Sequence, residues 1–232
     1  MLASVAELLK PQGRFPGEQW LISEGSMFGL MPAPKKRCPW GDDELMITYH
    51  DEEWGTPVHD DDLLFEHLVL DCMQAGLSWS TILHKREAFR RAFDGFDARK
   101  VARYDARKLD SLLQDKGIVR NRQKIGAAVN NAQRFLEVQR EEGSFDSFLW
   151  GFVEGRTIHH SYSSFKQVPA SSPESERMSA ALRERGFKFV GPTICYAIMQ
   201  AVGMVNDHLV ECYRHRELLD HAPQPSHRSK MR

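Results

Sequence analysis

Apolar residues in this chain recur three and four positions apart along most of its length, and alternating or β-branched runs are almost missing. That spacing puts them on one face of a helix, whereas a half-buried strand needs a period of two. Asp60 to Asp62 give an acidic start to a helix in which Leu64, Phe65, Leu68, Val69 and Cys72 form a half-buried face. Ser78 or Ser80 can cap a second helix, with Ile82, Leu83, Phe89 and Phe93 as its stripe and Lys85, Arg86, Arg90 and Arg91 as a basic flank. Asp97 and Asp105 are N-caps for short helices over 98–104 and 106–115, a longer helix carries Ile125 to Leu136 and stops at Gly143, and Phe145 to Val153 form a short buried one. Pro173 opens a helix ending at Gly186, Gly191-Pro192 opens another that stops at Gly203, and Asn206-Asp207 cap a last one from His208. Arg156 to Ser172 reads as a polar surface loop. The expected fold is all-α.

With 232 residues the chain has ample length to bury a core. Residues 1–37 hold Pro11, Pro16, Pro32 and Pro34 with little periodicity beyond a short helix near Val5 to Leu9, and read as an extension ending in the basic triplet Lys35-Lys36-Arg37. The globular domain is expected over 38–213, with a tail over 214–232. A formal net charge of −1 gives no overall basic field, so a nucleic-acid surface would be a local patch. No run of about eighteen apolar residues occurs, and the start lacks the basic and apolar blocks of a signal peptide, so an intracellular, cytoplasmic protein without a membrane is expected. Four cysteines in such a context argue for reduced thiols or a metal site.

The segment Leu70 to Trp79 crowds Asp71, Gln74, Gly76, Leu77 and Trp79 into a bend between the first two helices. A Trp and an Asp at a helix junction serve equally as packing and capping groups. Upstream, Cys38-Pro39-Trp40-Gly41 and Tyr49-His50-Asp51-Glu52-Glu53-Trp54-Gly55 form an irregular, aromatic-rich segment of the kind that lines a cavity. Further on, Asp115-Lys116-Gly117-Ile118-Val119-Arg120-Asn121-Arg122 leads into a helix opening with Lys124, a helix-hairpin-helix pattern. Glycine there allows close backbone approach to a phosphate, and the N–H groups of a helix N-terminus complement its charge. A plain helical hairpin with a glycine C-cap has the same sequence.

His208 and Cys212 are four apart, hence on one face if helical, and can give two ligands to one tetrahedral metal. Cys38 and His50 supply a matching pair at the other end of the domain, and two thiolates with two imidazoles suit a closed zinc site. Each alone is also an ordinary buried residue. Cys72 and Cys195 lie on apolar helix faces and read as core.

Taken together, these blocks resemble the 3-methyladenine DNA glycosylase I family, the zinc-containing branch of the helix-hairpin-helix glycosylases. Tyr49-His50-Asp51-x-x-Trp54-Gly55, Gln74-Ala75-Gly76-Leu77-Ser78-Trp79, the Gly117 hairpin, Gly186 to Tyr196 and Val205-Asn206-Asp207-His208 carry the likeness, from about Cys38 to Cys212. The resemblance implies a helical glycosylase fold whose N- and C-terminal parts are tied by one structural Zn2+ on Cys38, His50, His208 and Cys212. It also implies a base pocket at Trp40, Tyr49, Asp71 and Trp79. One departure is Asp71, where the family pattern has Glu; the charge is kept on a side chain one methylene shorter.

The implied reaction is hydrolysis of the N-glycosidic bond of N3-methylated adenine in double-stranded DNA containing alkylated bases. The nucleotide must leave the duplex to be reached. Trp79 would stack the flipped base with Tyr49 opposite, Asp71 would accept a hydrogen bond and favour the cationic base, and Tyr49 and Asp71 would be the catalytic pair. Leu77 is a candidate wedge for the gap, and Gly117, Arg120, Arg122 and Lys124 are candidate DNA contacts. A monomer is expected. Two alternatives remain: a non-catalytic zinc-stabilised module that binds DNA lesions, or a glycosylase with lyase activity, for which Lys124 is the candidate Schiff-base lysine.

Overall fold

The protein is described here from a computed structural model, which places residues 35–41 and 43–220. The extension expected over 1–37 lies, up to residue 34, outside the described residues, as does the tail beyond residue 220. Eleven α-helices occur among the described residues: α1 Glu44–Glu52, α2 Asp61–Gln74, α3 Trp79–Leu83, α4 Arg86–Ala92, α5 Ala98–Val101, α6 Ala106–Gln114, α7 Arg122–Glu142, α8 Phe145–Trp150, α9 Pro173–Glu184, α10 Pro192–Ala201 and α11 Tyr213–Asp220. Caps set most starts: Asp60, Ser78, Asp97, Asp105, Asn121 and Ser172 each accept from backbone N–H groups of the first turn, which otherwise have no partner. The mostly helical fold agrees with the periodicity, and α11 carries regular structure past residue 213 with His215 and Leu218 buried.

Helix α2 is the axis of the core. Rather than showing one buried face, it is covered on all sides from Leu64 to Met73, because α7, α8 and α10 pack around it. Phe65 meets Phe135 of α7 with ring centres 5.0 Å apart, and Phe89, Phe93, Ile125 and Met199 are buried in the same cluster. A smaller cluster gathers Cys38, Met46, Tyr49, Trp54, Leu83 and Cys212, and Trp79 packs against both.

Four local expectations are corrected. The segment before Trp54, expected to be irregular, holds helix α1, capped by Asp43 accepting from Met46 N; its buried residues are Met46, Tyr49 and His50, too few and too mixed to make a stripe. The single helix expected after Ser78 is two, α3 and α4, broken at His84-Lys85. The break lets Lys85 Nζ donate to the carbonyls of Lys116 and Gly117. Within the expected polar loop, Ile158–His159 pair in parallel with Val205–Asn206, a two-stranded sheet. Asn206 therefore starts no helix, its Oδ1 accepting instead from His208 N at 3.3 Å, and the stretch from Asp207 to Cys212 is irregular and turned.

Candidate active site

Four elements close around a cavity of about 350 Å3: α1 brings Tyr49, α2 brings Asp71 and Gln74, α3 opens with Trp79, and α10 brings Gln200 in its last turn. Trp40, just before α1, completes the aromatic wall. All four residues expected at the base pocket thus share one cavity. Asp71 is the anomaly in it. Its side chain is 2% exposed, and its Oδ2 has no hydrogen-bond partner. Burial without a compensating donor penalises the charged form and pushes the carboxyl up to about 8. Trp79 Nε1 is likewise buried without an acceptor. Burial, then the nearby Asp71, pushes the Tyr49 hydroxyl well up. A carboxyl and an indole N–H with no protein partners, on the wall of one cavity, are matched to a ligand that carries both a donor and an acceptor.

The aromatic geometry refines the stacking expectation. Tyr49 and Trp79 lie 5.2 Å apart between ring centres at 44°, and Trp40 meets Tyr49 at 6.3 Å. A ring inserted between two faces needs about 7 Å from face to face, twice the van der Waals spacing. Tyr49 and Trp79 therefore form no open slot; a base stacks on Trp79 in this arrangement with Tyr49 at its edge.

Beside the cavity the four expected metal ligands converge. Cys38, His50, His208 and Cys212 are all buried, with their ligand atoms within 4.8 Å of one another. Cys38 Sγ is 3.6 Å from His208 Nδ1, and Cys212 Sγ is 3.4 Å from His50 Nε2 and 3.5 Å from His208 Nδ1. Such edges suit a tetrahedron with metal bonds of about 2.0–2.3 Å. The outer ring nitrogens are held as metal-binding histidines require: His50 Nδ1 on Asp51 at 2.7 Å, His208 Nε2 on the carbonyl of Trp54 at 2.9 Å. Burial works against the charge of Asp51, but hydrogen bonds from Arg37 and His50 outweigh it and hold that carboxyl well below the usual range. Gly55, at φ +78, packs against the ring, where an added Cβ would lie 3.2 Å from His208 Cδ2. The donor set fits a closed, four-ligand metal site. His208 and Cys212 meet not through helical spacing but through a turn in which Cys212 N donates to Leu209 O.

At the hairpin, α6 and α7 are joined by residues 115–121, with Asp115 accepting from Gly117 N at 2.7 Å. Gly117 is required for space instead of for a left-handed backbone: a Cβ would meet Ala88 Cβ and Asp115 Oδ1, both at 3.0 Å. Arg120 and Arg122 are exposed, and Leu77 is 42% exposed at the bend before α3. Lys124 does not join them. It is buried, and its ammonium donates to the carbonyls of Met73 and Ala75 at the end of α2.

One residue behind the pocket and one on its wall escaped the sequence reading. Arg86, assigned to a basic flank, is buried and bridges Glu53 at 2.6 Å and Glu66 at 2.5 Å, which ties the end of α1 to α2 and so sets Tyr49 against Asp71. Gln200 has an apolar neighbourhood in sequence and no motif; only its partner Asp207, seven positions on and 2.7 Å from its Nε2, marks it out.

The chain is similar to known proteins. The family profile described as "Methyladenine glycosylase" matches residues 40–215. A Haemophilus influenzae protein named DNA-3-methyladenine glycosylase is 44% identical over 177 residues, 76% of this chain and 96% of that protein. The Escherichia coli protein named DNA-3-methyladenine glycosylase 1 is 46% identical over 178 residues, covering 76% and 95%. A crystal structure of 3-methyladenine DNA glycosylase I superposes with a TM-score of 0.75 at 45% identity over 77% of this chain and 98% of that one. A variant of such an enzyme in complex with 3-methyladenine superposes at 0.73, with 36% identity over 75% and 93%.

Proposed function

This chain belongs to the methyladenine glycosylase family, and from that premise we propose that it releases N3-methylated adenine from double-stranded DNA by hydrolysis, as a monomer acting inside the cell. The observation that carries the reading is Asp71: a buried, unpartnered carboxyl on the wall of an aromatic cavity of about 350 Å3. Such a group is costly to keep charged without a counter-charge. An N3-alkylated adenine brings one, so the cavity accepts the cationic base in preference to the neutral one.

The alkylated base is a ready leaving group. When the bond from the sugar to N9 breaks, the electron pair stays on N9, the base leaves neutral, and the positive charge moves to the sugar. Water adds to the sugar carbon and its proton passes to solvent or to Asp71. Asp71 accepts from the base and, once ionised by the incoming cation, holds negative charge near the sugar. Tyr49 and Trp40 wall the base against Trp79. Leu77, exposed on the bend, is assigned the gap left in the duplex, and Gly117, Arg120 and Arg122 the phosphates. No covalent lysine is needed: the Lys124 amine already serves two carbonyls.

One Zn2+ is assigned to Cys38, His50, His208 and Cys212, where it would join the segment before α1 to the segment before α11. Four protein donors leave no position for substrate, so its contribution is folding energy and not reaction chemistry. The deciding experiment is release of 3-methyladenine from alkylated duplex by the purified protein. Binding of that duplex without base release would make the protein a lesion-binding module instead.

A further inference from the structure

Asp207 is buried at 1% exposure, and its carboxylate accepts three hydrogen bonds: from Tyr196 Oη at 2.7 Å, from Gln200 Nε2 at 2.7 Å, and from His160 Nδ1 at 2.6 Å. The Gln200 amide turns its NH2 towards Asp207, whose Oδ2 it shares with the Tyr196 hydroxyl, because the opposite orientation would set its carbonyl oxygen against a carboxyl oxygen. Its carbonyl oxygen then points away. The residue is held at its other end too, since Gly55 N donates to the backbone carbonyl of Gln200 at 2.9 Å. Gln200 lines the same cavity as Asp71 and Trp79, and among the described residues no donor pairs with its Oε1. A neutral acceptor of fixed orientation therefore belongs to the lining that also carries the Asp71 carboxyl.

We propose that Gln200 is a specificity-determining residue, whose Oε1 accepts from the exocyclic amino group of the bound base, with Asp207 as the positioning residue that forbids the opposite amide orientation. This rests on the glycosylase reading above and deepens it. A base carrying an amino group at that position offers the N–H that Oε1 lacks, whereas a keto group sets acceptor against acceptor and leaves both unpaired. Such a mismatch discriminates more sharply than a missing apolar contact, because a buried polar group is left without a partner. The pocket so described selects 6-amino purines over 6-keto purines independently of the methyl group.

The test uses the full chain and two free bases, 3-methyladenine and 3-methylhypoxanthine, with binding followed by tryptophan fluorescence. Wild-type protein is expected to prefer the amino base by about tenfold or more, the worth of one neutral hydrogen bond. Gln200→Met, close in shape but without the acceptor, should lose about tenfold in affinity for 3-methyladenine and none for 3-methylhypoxanthine. Its melting midpoint and metal content report whether the fold is intact. Equal losses for both bases, or an undiminished preference, would overturn the assignment. Wild-type protein that binds neither base overturns the glycosylase reading itself, and the role of Gln200 falls with it.

Discussion

Lys124 Nζ lies 2.7 Å from the carbonyl oxygen of Met73, so a cation from the first turn of α7 closes the last turn of α2. A second bond, 2.6 Å to Ala75 O, holds the start of the bend that carries Leu77. The hairpin that is assigned to phosphate and the helix that carries Asp71 are therefore joined by one side chain. Burial lowers the pKa of this lysine, but the two carbonyls use its donors. Borohydride is expected to trap no adduct with alkylated DNA, and Lys124→Met should cost roughly 1–3 kcal/mol in urea unfolding, the penalty for unpaired buried carbonyls. An adduct that forms in wild type and vanishes in Lys124→Met would assign the chain to the lyases.

Asp71 sets activity against stability. Its carboxyl is pushed up to about 8 in the folded chain, against an ordinary value of 3.8. The folded state thus keeps a proton that the unfolded chain releases, and stability falls as pH rises through that window, by at most about 1.4 kcal/mol per pH unit. Asp71→Asn has no such proton, so its stability should exceed that of wild type by a margin that grows from pH 4 to pH 8 and is flat above. Excision of 3-methyladenine should meanwhile drop about ten- to hundred-fold with duplex affinity kept, as losing a charge-assisted hydrogen bond requires. Unchanged excision by a folded Asp71→Asn protein would leave the carboxyl structural.

Purified protein should contain close to one zinc per chain. Cys212→Ser is expected to lose the metal and several kcal/mol of stability, about the loss seen when a structural site is opened. Gly55→Ala, which presses on the His208 ring and needs a positive φ, should weaken metal retention without removing any ligand. Full zinc content in Cys212→Ser would displace the site.

DNA affinity should fall steeply with salt, and each phosphate contact removed should flatten the slope of log affinity against log salt by about one. Arg120→Ala and Arg122→Ala are the informative variants, since both side chains are exposed. Gly117→Val strains packing against Ala88 and Asp115, so its effect is read beside theirs. A slope unmoved in the double arginine variant takes the hairpin out of the interface.

Leu77→Ala tests the wedge. The side chain is 42% exposed and contributes little to the core, so the melting midpoint should barely change. Excision from duplex should fall well below excision from single strands, where no gap has to be filled.

Much of this protein was legible in one dimension. Helix starts at Asp60, Ser78, Asp97, Asp105 and Pro173 follow from caps and prolines, whose physics acts within one turn of chain. Helix α1 was not legible, because its buried residues Met46, Tyr49 and His50 serve a cavity and a ligand cluster and trace no stripe. The turn carrying His208 and Cys212 was misread as a helix, because spacing of four is compatible with both.

The pattern of residues along the chain determined the helical class, the caps, and which side chains had the chemistry to bind metal and base. Tertiary structure alone decided that Cys38 lies 3.6 Å from His208 across 170 positions of sequence, that Lys124 is a structural clamp instead of a surface cation, and that Gln200 and Asp71 line one cavity. The reason is range. Periodicity and capping are set by neighbours three or four residues away, whereas burial, orphaned polar atoms and the pKa of Asp71 depend on which distant helices exclude water from them.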